Sequence, residues 1–218
     1  MRNTQTEENY LKAILKHSET EESVLTNVIA QELGTTPASV TDMVKKLHEK
    51  KLVEHTPYYG VKLTSEGKKV ALYTVRRHRL WETFLVEKLN YTWDEIHETA
   101  EQLEHIESEK LTAKLDEFLG YPRFDPHGDP IPDENLNMLP RNTVLLCDLH
   151  PNTPAVVAGV TQHNPDFLQY LDRLNLHIGT QVTVIEVISF DDSRLISIHN
   201  REMMVSSSVT KHLLVSQK

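Results

Sequence analysis

The sequence lacks several features that would assign it to a common class of protein. Its 218 residues include a single cysteine, so no disulfide can form within the chain. No apolar run approaches the roughly 20 residues that a membrane-spanning helix needs, and the first residues lack the apolar core of a signal peptide. We therefore expect a cytoplasmic protein with an ordinary hydrophobic core, to which Cys147 contributes.

The signatures of common enzymes are also missing. The chain has no Gly-rich phosphate-binding loop and no nucleophile elbow. The stretch His97-Glu-Thr-Ala-Glu101 begins like a zinc-protease helix, but the second histidine of that motif is absent. We therefore expect that the protein is not an enzyme.

Charge is distributed unevenly along the chain, whose net charge is −9. Residues 1–80 contain 13 Lys/Arg and 10 Asp/Glu, a net charge of +3, whereas residues 81–119 contain 3 and 11, a net charge of −8. Residues 120–218 contain 7 and 11, a net charge of −4. A basic first part suits contact with nucleic acid phosphates, and an acidic middle part attracts cations.

The first 63 residues have the pattern of a winged helix. The predicted elements are helices over 6–18, 24–33 and 37–47 and strands over 52–55 and 61–63. Gly34 ends the second helix and Pro37 starts the third, which leaves only a tight turn between them. The two strands flank a turn at 57–60. A helix-turn-helix followed by a β-hairpin is a winged helix.

The third predicted helix has the surface of a DNA-recognition helix. Small polar residues on its outward N-terminal side allow close approach to base edges, and the lysines behind them can hold phosphates. The predicted DNA-binding residues are Thr36, Pro37, Ala38, Ser39, Thr41, Lys45, Lys46 and, in the wing, Tyr59. The alternative is a winged helix that contacts proteins rather than DNA.

Six candidate metal ligands lie on two predicted helices that follow the wing. They are His78, Glu82, His97, Glu101, Glu104 and His105. Their spacing places the members of each helix on one face, at the edge of its apolar strip. Imidazole with carboxylate is a ligand set for a first-row divalent ion, and so many carboxylates packed between helices would be costly without a cation. We therefore predict a metal sensor rather than a solvated acidic surface.

Long helices beyond the winged helix predict a dimerisation surface. One helix is capped by Thr64 and continues to about Leu89, a second starts at a capping box over 92–95, and a third ends at Gly120. The apolar residues available to a second copy are Leu80, Trp81, Phe84 and Leu85. A dimer matches the two-fold symmetry of palindromic DNA sites.

The last third of the chain changes to a β pattern. Five prolines and few apolar residues over 121–140 predict a semi-rigid linker. Beyond it we predict strands over 144–149, 155–160, 181–189 and 195–198 and one helix over 165–174. This pattern favours a small SH3-like β-barrel after a mainly α-helical N-terminal part. The predicted domains are a winged helix-turn-helix over 1–75, a helical metal-binding and dimerisation domain with the Pro-rich linker over 76–140, and the barrel over 141–218.

Motifs spread over nearly the whole chain resemble the diphtheria-toxin-repressor family, whose metal-dependent regulators include the manganese transport regulators. The motifs are Glu8-Asn-Tyr-Leu11, Leu63-Thr-Ser-Glu-Gly-Lys68, Arg77-His-Arg-Leu80, Glu104-His105 and His127-Gly-Asp-Pro-Ile-Pro132. The resemblance implies a dimeric repressor with a FeoA-like barrel. Such a repressor binds operator DNA when Mn²⁺ or Fe²⁺ is abundant and controls genes of metal-ion homeostasis.

The resemblance also implies two metal sites. One would use His78, Glu82 and His97, completed by His163 and Asp166 of the barrel. The other would use Glu101, Glu104, His105 and, from the first helix, Asn9. The family commonly has Asp or Met at the position of Asn9, so Glu8 or a water is the alternative ligand there. Iron-responsive members have Cys at the position of Glu101, so this carboxylate favours Mn²⁺ over Fe²⁺.

Overall fold

The computed structural model describes residues 3–18, 23–56 and 59–217, and the chain divides into two compact units. The first unit comprises residues 1–78, 101–113 and 132–137, and the second comprises residues 79–100, 114–131 and 138–218. This division does not test the three predicted domain boundaries, which stay predictions.

The first unit contains the predicted winged helix. Its elements are α1 (Gln5–His17), α2 (Thr26–Glu32), α3 (Pro37–Glu49), β1 (Val53–Thr56), β2 (Gly60–Leu63) and the first half of α4 (Ser65–Leu89). The two strands pair antiparallel, with Val53 opposite Leu63. The prediction of a helix-turn-helix with a wing is confirmed.

Local sequence explains where α1 and α3 begin. The Thr4 hydroxyl accepts a hydrogen bond from the Glu7 N–H, and the Glu7 carboxylate accepts one from the Thr4 N–H, which forms a capping box at the start of α1. Thr36 caps α3 through the Ser39 N–H, and Pro37 occupies the first turn. The apolar faces of both helices are buried, as their spacing predicts.

The helix α2 begins two residues later than predicted. Val24 instead forms a β-bridge with Val61, in which each N–H donates to the other carbonyl at 2.9 Å. Gly60 has φ +105°, and a Cβ there would lie 2.6 Å from the Val24 oxygen, so this position requires glycine. Pro57 and Tyr58, which belong to the predicted wing turn, lie outside the described residues.

The second long helix is shorter than predicted, whereas the third agrees with its prediction to within one residue. Thr92 and Glu95 do bond each other, but they close a turn, and α5 (Ile96–Leu103) begins after it, so the predicted helix start is wrong. Because α5 ends at Leu103, Glu104 and His105 lie in a turn rather than on the predicted helical strip. The helix α6 (Glu109–Phe118) follows. Within the described residues, no helix combines the length and apolarity needed to cross a membrane.

Part of the predicted dimerisation surface is buried inside the second unit. Leu80 and Leu85 are 0% and 2% exposed, and each belongs to a small apolar core of this unit. The prediction that they face a second copy is therefore wrong. Trp81 and Phe84 are half-buried, with their rings edge to face at 5.7 Å.

The second unit also contains the predicted small β-domain. Its elements are β3 (Val144–Leu145), β4 (Pro154–Val160), α7 (Pro165–Arg173), β5 (Gln181–Val187), β6 (Arg194–Ile198), β7 (Arg201–Val205), α8 (Ser207–Thr210) and β8 (Leu213–Gln217). The six strands pair antiparallel in the order β3-β8-β4-β5-β6-β7. The sequence predictions missed β7, α8 and β8. Of the predicted strand over 144–149, only Val144–Leu145 is a strand; Leu146–Asp148 is a 3₁₀ helix, in which Cys147 is half-buried rather than a core residue.

The predicted semi-rigid linker needs correction over 124–131. Phe124 forms a β-bridge with Pro130, and His127 is fully buried. The His127 carbonyl accepts a hydrogen bond from Val160 of β4 at 3.0 Å. A Cβ at Gly128 would lie 2.1 Å from a β4 carbonyl oxygen, so glycine permits this close approach. The segment is therefore packed against the sheet rather than solvated.

Candidate metal centres

The predicted DNA-facing side of α3 is solvent-exposed. The exposed residues are Thr36, Pro37, Ala38, Ser39, Lys45 and Lys46, and Tyr59 of the wing is 75% exposed. Thr41 is half-buried and its hydroxyl donates to the Pro37 carbonyl. These positions are compatible with contact to DNA, and their roles stay predictions.

Glu104 is the centre of a cluster in the first unit. Its carboxylate is 0% exposed, and its Oε2 lies 2.6 Å from His78 Nδ1. Lys12 Nζ of α1 donates to Oε1 and Oε2 at 2.7 and 2.8 Å, and to Glu101 Oε1 at 2.5 Å. Burial raises the pKa of Glu104, but His78 and Lys12 together lower it further, so this pKa lies below its ordinary value. The carboxylate is therefore ionised and available as a ligand at neutral pH.

Glu8 of α1 orients the histidine of this cluster. His105 Nδ1 lies 2.6 Å from Glu8 Oε2, and Arg77 donates to Glu8 Oε1 at 2.7 Å. When His105 donates from Nδ1, its Nε2 carries a lone pair, and this atom lies 3.6 Å from Glu104 Oε1. A histidine held by a carboxylate in this way is the usual arrangement of a metal ligand.

The position of Asn9 favours it over Glu8 as the ligand from α1. Both oxygens of Glu8 are engaged, by Arg77 and His105. Asn9 Oδ1, in contrast, is buried and has no hydrogen-bond partner among the described residues. A buried acceptor in this state costs free energy unless something satisfies it. The donor set of this cluster, oxygens and imidazole nitrogens, therefore fits a divalent first-row cation.

A second cluster lies in the second unit, around Glu82 of α4. One ligand atom from each of Glu82, Asp125 and His127 lies within 4.8 Å of the other two, and all three residues are buried. His127 Nε2 donates to the Trp93 carbonyl at 2.8 Å. When the ring is neutral its Nδ1 therefore carries the lone pair, and this atom lies 3.6 Å from Glu82 Oε2 with no hydrogen-bond partner among the described residues. This unsatisfied buried nitrogen fits a metal ligand.

Two more histidines border the second cluster. His97 Nδ1 lies 3.5 Å from Glu82 Oε1. The His163 ring stacks on His127 at 4.4 Å, and its centroid lies 6.5 Å from that of His97. The structure thus brings Glu82, His97 and His163 to one place within this unit. Asp166 lies exposed in the first turn of α7, and its role stays a prediction.

Ionisation is unfavourable in the second cluster. Burial, followed by the nearby charge of Glu82, raises the pKa of Asp125 to about 7, although Arg79 Nε lies 3.5 Å from its carboxylate. Burial lowers the pKa of His127, but Glu82 and Asp125 outweigh it and the net pKa is raised. A cation bound here therefore has to displace protons.

The predicted grouping of His78 with Glu82 and His97 combines residues of both units, and it stays a prediction. Within its own unit His78 contacts Glu104. Sequence reasoning missed Asp125 and His127, because they lie in the segment interpreted as a linker. The signal was the clustering of an aspartate, a histidine and a glycine at 125–128, which is typical of an ordered turn.

Comparison with known proteins identifies the chain along most of its length. Residues 3–61 match "Iron dependent repressor, N-terminal DNA binding domain", residues 64–133 match "Iron dependent repressor, metal binding and dimerisation domain", and residues 144–217 match "FeoA domain". The iron-dependent repressor IdeR of Mycobacterium tuberculosis (strain H37Rv) is 30% identical over 178 residues, which cover 78% of this chain and 77% of IdeR. The diphtheria toxin repressor of Corynebacterium efficiens is 28% identical over 91% of this chain and 89% of its own.

Solved structures give the same result. A manganese-dependent transcriptional repressor in complex with manganese has a TM-score of 0.88 and 32% identity, over 97% of this chain and 100% of its own. The manganese regulator SloR has a TM-score of 0.78 and 34% identity over all of both chains. Three of these four relatives are named as repressors, and SloR is named as a regulator. The chain belongs to the family of iron-dependent repressors, the metal-dependent transcriptional regulators that include the diphtheria toxin repressor.

Proposed function

We propose that this protein is a dimeric repressor that binds operator DNA when it is loaded with Mn²⁺, or less readily with Fe²⁺. It acts on DNA in the cytoplasm and controls genes of metal-ion homeostasis. Relatives are named as iron-dependent and manganese-dependent repressors, which supports both ions as candidates. The exposed Lys45 and Lys46, beside small polar residues on α3, support DNA as the partner.

The position of α1 carries this proposal. On one side, Glu8 and Lys12 of α1 bind residues of the Glu104 cluster. On the other side, Glu7 Oε2 accepts a hydrogen bond from Lys50 Nζ at 2.7 Å, and Lys50 caps the C-terminus of α3. A single helix thus contacts both the ligand cluster and the end of the recognition helix. A change at the cluster that fixes α1 also restrains α3.

In the first unit, we assign the ligands to Asn9, His78, Glu101, Glu104 and His105, with Glu8 orienting His105. A bound divalent cation supplies the positive charge that holds these carboxylates and imidazoles together. The fully buried Glu104 carboxylate would be one ligand of that cation. The buried Oδ1 of Asn9 would be another, and it would link α1 to the site. Arg77 holds the Glu8 carboxylate in place by a hydrogen bond. The result is a fixed α1.

In the second unit, we assign the ligands to Glu82, His97, Asp125, His127 and His163. Trp93 fixes the tautomer of His127 through its carbonyl, and the N–H groups of His127 and Asp129 fix the Asp125 carboxylate at 2.8 and 2.9 Å. Residues of α4, α5 and the barrel contribute to this set. The second cluster therefore adds restraint within its own unit.

The preference for Mn²⁺ over Fe²⁺ rests on the donor atoms. The set proposed for the first unit contains carboxylate, amide and imidazole donors and no thiolate. The single cysteine, Cys147, belongs to the other unit. Harder oxygen donors suit Mn²⁺.

Fluorescence anisotropy with labelled genomic fragments from the source organism tests the proposal, once with Mn²⁺ and once with chelator. We expect tight, competitor-resistant binding of some fragments with Mn²⁺ and only weak, nonspecific binding with chelator. Light scattering coupled to gel filtration tests the dimer. Equal DNA affinity with and without Mn²⁺ would contradict the sensor function, and a monomer on operator DNA would contradict the dimer.

A further inference from the structure

Lys12 is placed where a cation in the first cluster would lie. From the third turn of α1 its Nζ reaches Glu101 Oε1 at 2.5 Å and both oxygens of Glu104 at 2.7 and 2.8 Å. The Lys12 side chain is 21% exposed, whereas that of Glu104 is 0% exposed. One ammonium thus satisfies two carboxylates, one of which has no access to water.

The same oxygens cannot serve Lys12 and a metal ion equally. Both Glu104 oxygens already accept from Lys12, and Oε2 also lies 2.6 Å from His78 Nδ1. A divalent ion that ligates Glu101 and Glu104 competes with the ammonium for the same lone pairs. The divalent ion also repels the Lys12 ammonium, because two positive charges within a few ångströms in a buried site are unfavourable.

The charges of the cluster support an exchange rather than joint binding. With the His78 and His105 rings neutral, Glu8, Glu101 and Glu104 carry three formal negative charges and Arg77 and Lys12 carry two positive ones, so a divalent ion added beside Lys12 leaves an excess positive charge. If the ammonium moves to solvent, the divalent ion balances the remaining charges. Lysine suits this exchange, because its charge sits on a long, flexible stem that is already partly exposed.

We propose that Lys12 is a resident cation of the first cluster, which a divalent metal ion displaces, and that it thereby sets the free metal concentration at which the cluster loads. The inference rests on the proposed function, since it takes the cluster to be a metal site. It makes Lys12 a residue that determines the metal threshold without being a metal ligand.

Calorimetric titration of the full-length chain with Mn²⁺ tests this proposal. A Glu82→Gln background removes a ligand of the second cluster, so that the titration reports on the first. We expect Lys12→Met to bind Mn²⁺ about tenfold tighter or more. Lys12→Arg, which keeps the charge, should stay close to the parent. The matched control is Lys16→Met, one turn later on α1, where Lys16 is 66% exposed and pairs with Glu32 instead.

Thermal unfolding separates a competing role from a structural one. With chelator, Lys12→Met should unfold at a lower temperature than the parent, because Glu101 and Glu104 lose their cation. With saturating Mn²⁺ it should unfold at the same temperature or higher. A lysine that only supports the ligands would instead weaken Mn²⁺ binding when removed.

The outcomes separate this proposal from the proposed function. Unchanged or weaker Mn²⁺ binding by Lys12→Met, with normal binding by the parent, overturns the competing role alone. A parent that binds no Mn²⁺ in the Glu82→Gln background overturns the first cluster as a metal site, and the role of Lys12 with it. Tighter binding by Lys12→Met and unchanged binding by Lys16→Met support the proposal.

Discussion

The two clusters contain the same kinds of ligand but balance their charge in different ways. In the first unit, Lys12 and His78 hold the pKa of Glu104 below its ordinary value. In the second unit, burial and Glu82 raise the pKa of Asp125 to about 7 despite the nearby Arg79. A metal ion therefore competes with a side-chain ammonium in the first cluster and with protons in the second.

This difference implies different dependence on conditions. In the first cluster the pKa of Glu104 lies below its ordinary value, so a metal ion competes there with Lys12 rather than with a proton on this carboxylate. The second cluster ionises near neutrality, so its metal affinity rises with pH across that range. Although the two clusters have similar ligand atoms, the neighbouring charged groups and burial therefore set their metal affinities.

The largest expected effect is the loss of Mn²⁺ binding at the first cluster when Glu104 loses its charge. Glu104→Gln keeps the shape of the side chain but removes a fully buried charge that contacts Lys12 and His78. We expect Mn²⁺ binding at this cluster to weaken at least about 100-fold, with metal-dependent DNA binding lost. Calorimetry and anisotropy measure the two effects. His105→Ala should act in the same direction.

The matched control for Glu104→Gln is Glu98→Gln, since Glu98 is an exposed carboxylate on α5. It should leave both measurements unchanged. Weak DNA binding that does not depend on metal should survive in Glu104→Gln. If this variant still responded to Mn²⁺ normally, the first cluster would not be the switch.

The second prediction concerns Asp125 and stability in chelator. Its pKa is about 7 in the folded chain and 3.8 ordinarily, so the folded state favours the protonated acid. The stability that this group contributes is fully present below pH 3.8 and is lost as the pH rises through 7. Asp125→Asn retains the Oδ1 acceptor for the His127 and Asp129 N–H groups and has no such loss.

We therefore expect Asp125→Asn to be close to wild type at pH 4 and more stable at pH 8 by on the order of 1–4 kcal/mol. Denaturant unfolding at the two pH values measures this difference. With saturating Mn²⁺ at pH 8 the order should reverse, because wild type alone gains the full binding energy. A variant that is less stable than wild type at pH 8 in chelator would show that burial does not raise the pKa of Asp125.

The sequence predicted the first cluster better than the second for a physical reason. Glu101, Glu104 and His105 lie within five residues of one another, so closeness in sequence keeps them together even though α5 ends at Leu103 and the predicted helical strip does not form. His127 is buried only because Gly128 lets its segment approach β4, a contact between distant parts of the chain. The role of Lys12 likewise depends on a contact 89 residues away along the chain, at Glu101. The composition of residues 121–140, rich in proline and poor in apolar residues, predicted a linker instead of this packed segment.

The third prediction adds a negative charge to the first cluster at Asn9. Asn9 is the ligand that we propose from α1, and its buried Oδ1 is a neutral donor. Asn9→Asp adds a negative charge close to the proposed ion, so we expect Mn²⁺ to bind about tenfold tighter. With chelator the variant should melt at a lower temperature, because the new carboxylate has no matching cation. Unchanged Mn²⁺ affinity would exclude Asn9 as a ligand.

The smallest expected effect concerns the contact by which α1, and with it the first cluster, reaches the recognition helix α3. Lys50 joins the end of α3 to Glu7 on α1, and Glu7 keeps its capping bond to Thr4 when Lys50 changes. Lys50→Met should therefore leave Mn²⁺ affinity without DNA unaltered. It should reduce by about threefold to tenfold the factor by which Mn²⁺ strengthens DNA binding. Anisotropy at several Mn²⁺ concentrations gives that factor, and linkage requires DNA to strengthen Mn²⁺ binding by the same factor. An undiminished factor would mean that the first cluster acts on α3 by a route other than the Glu7–Lys50 pair.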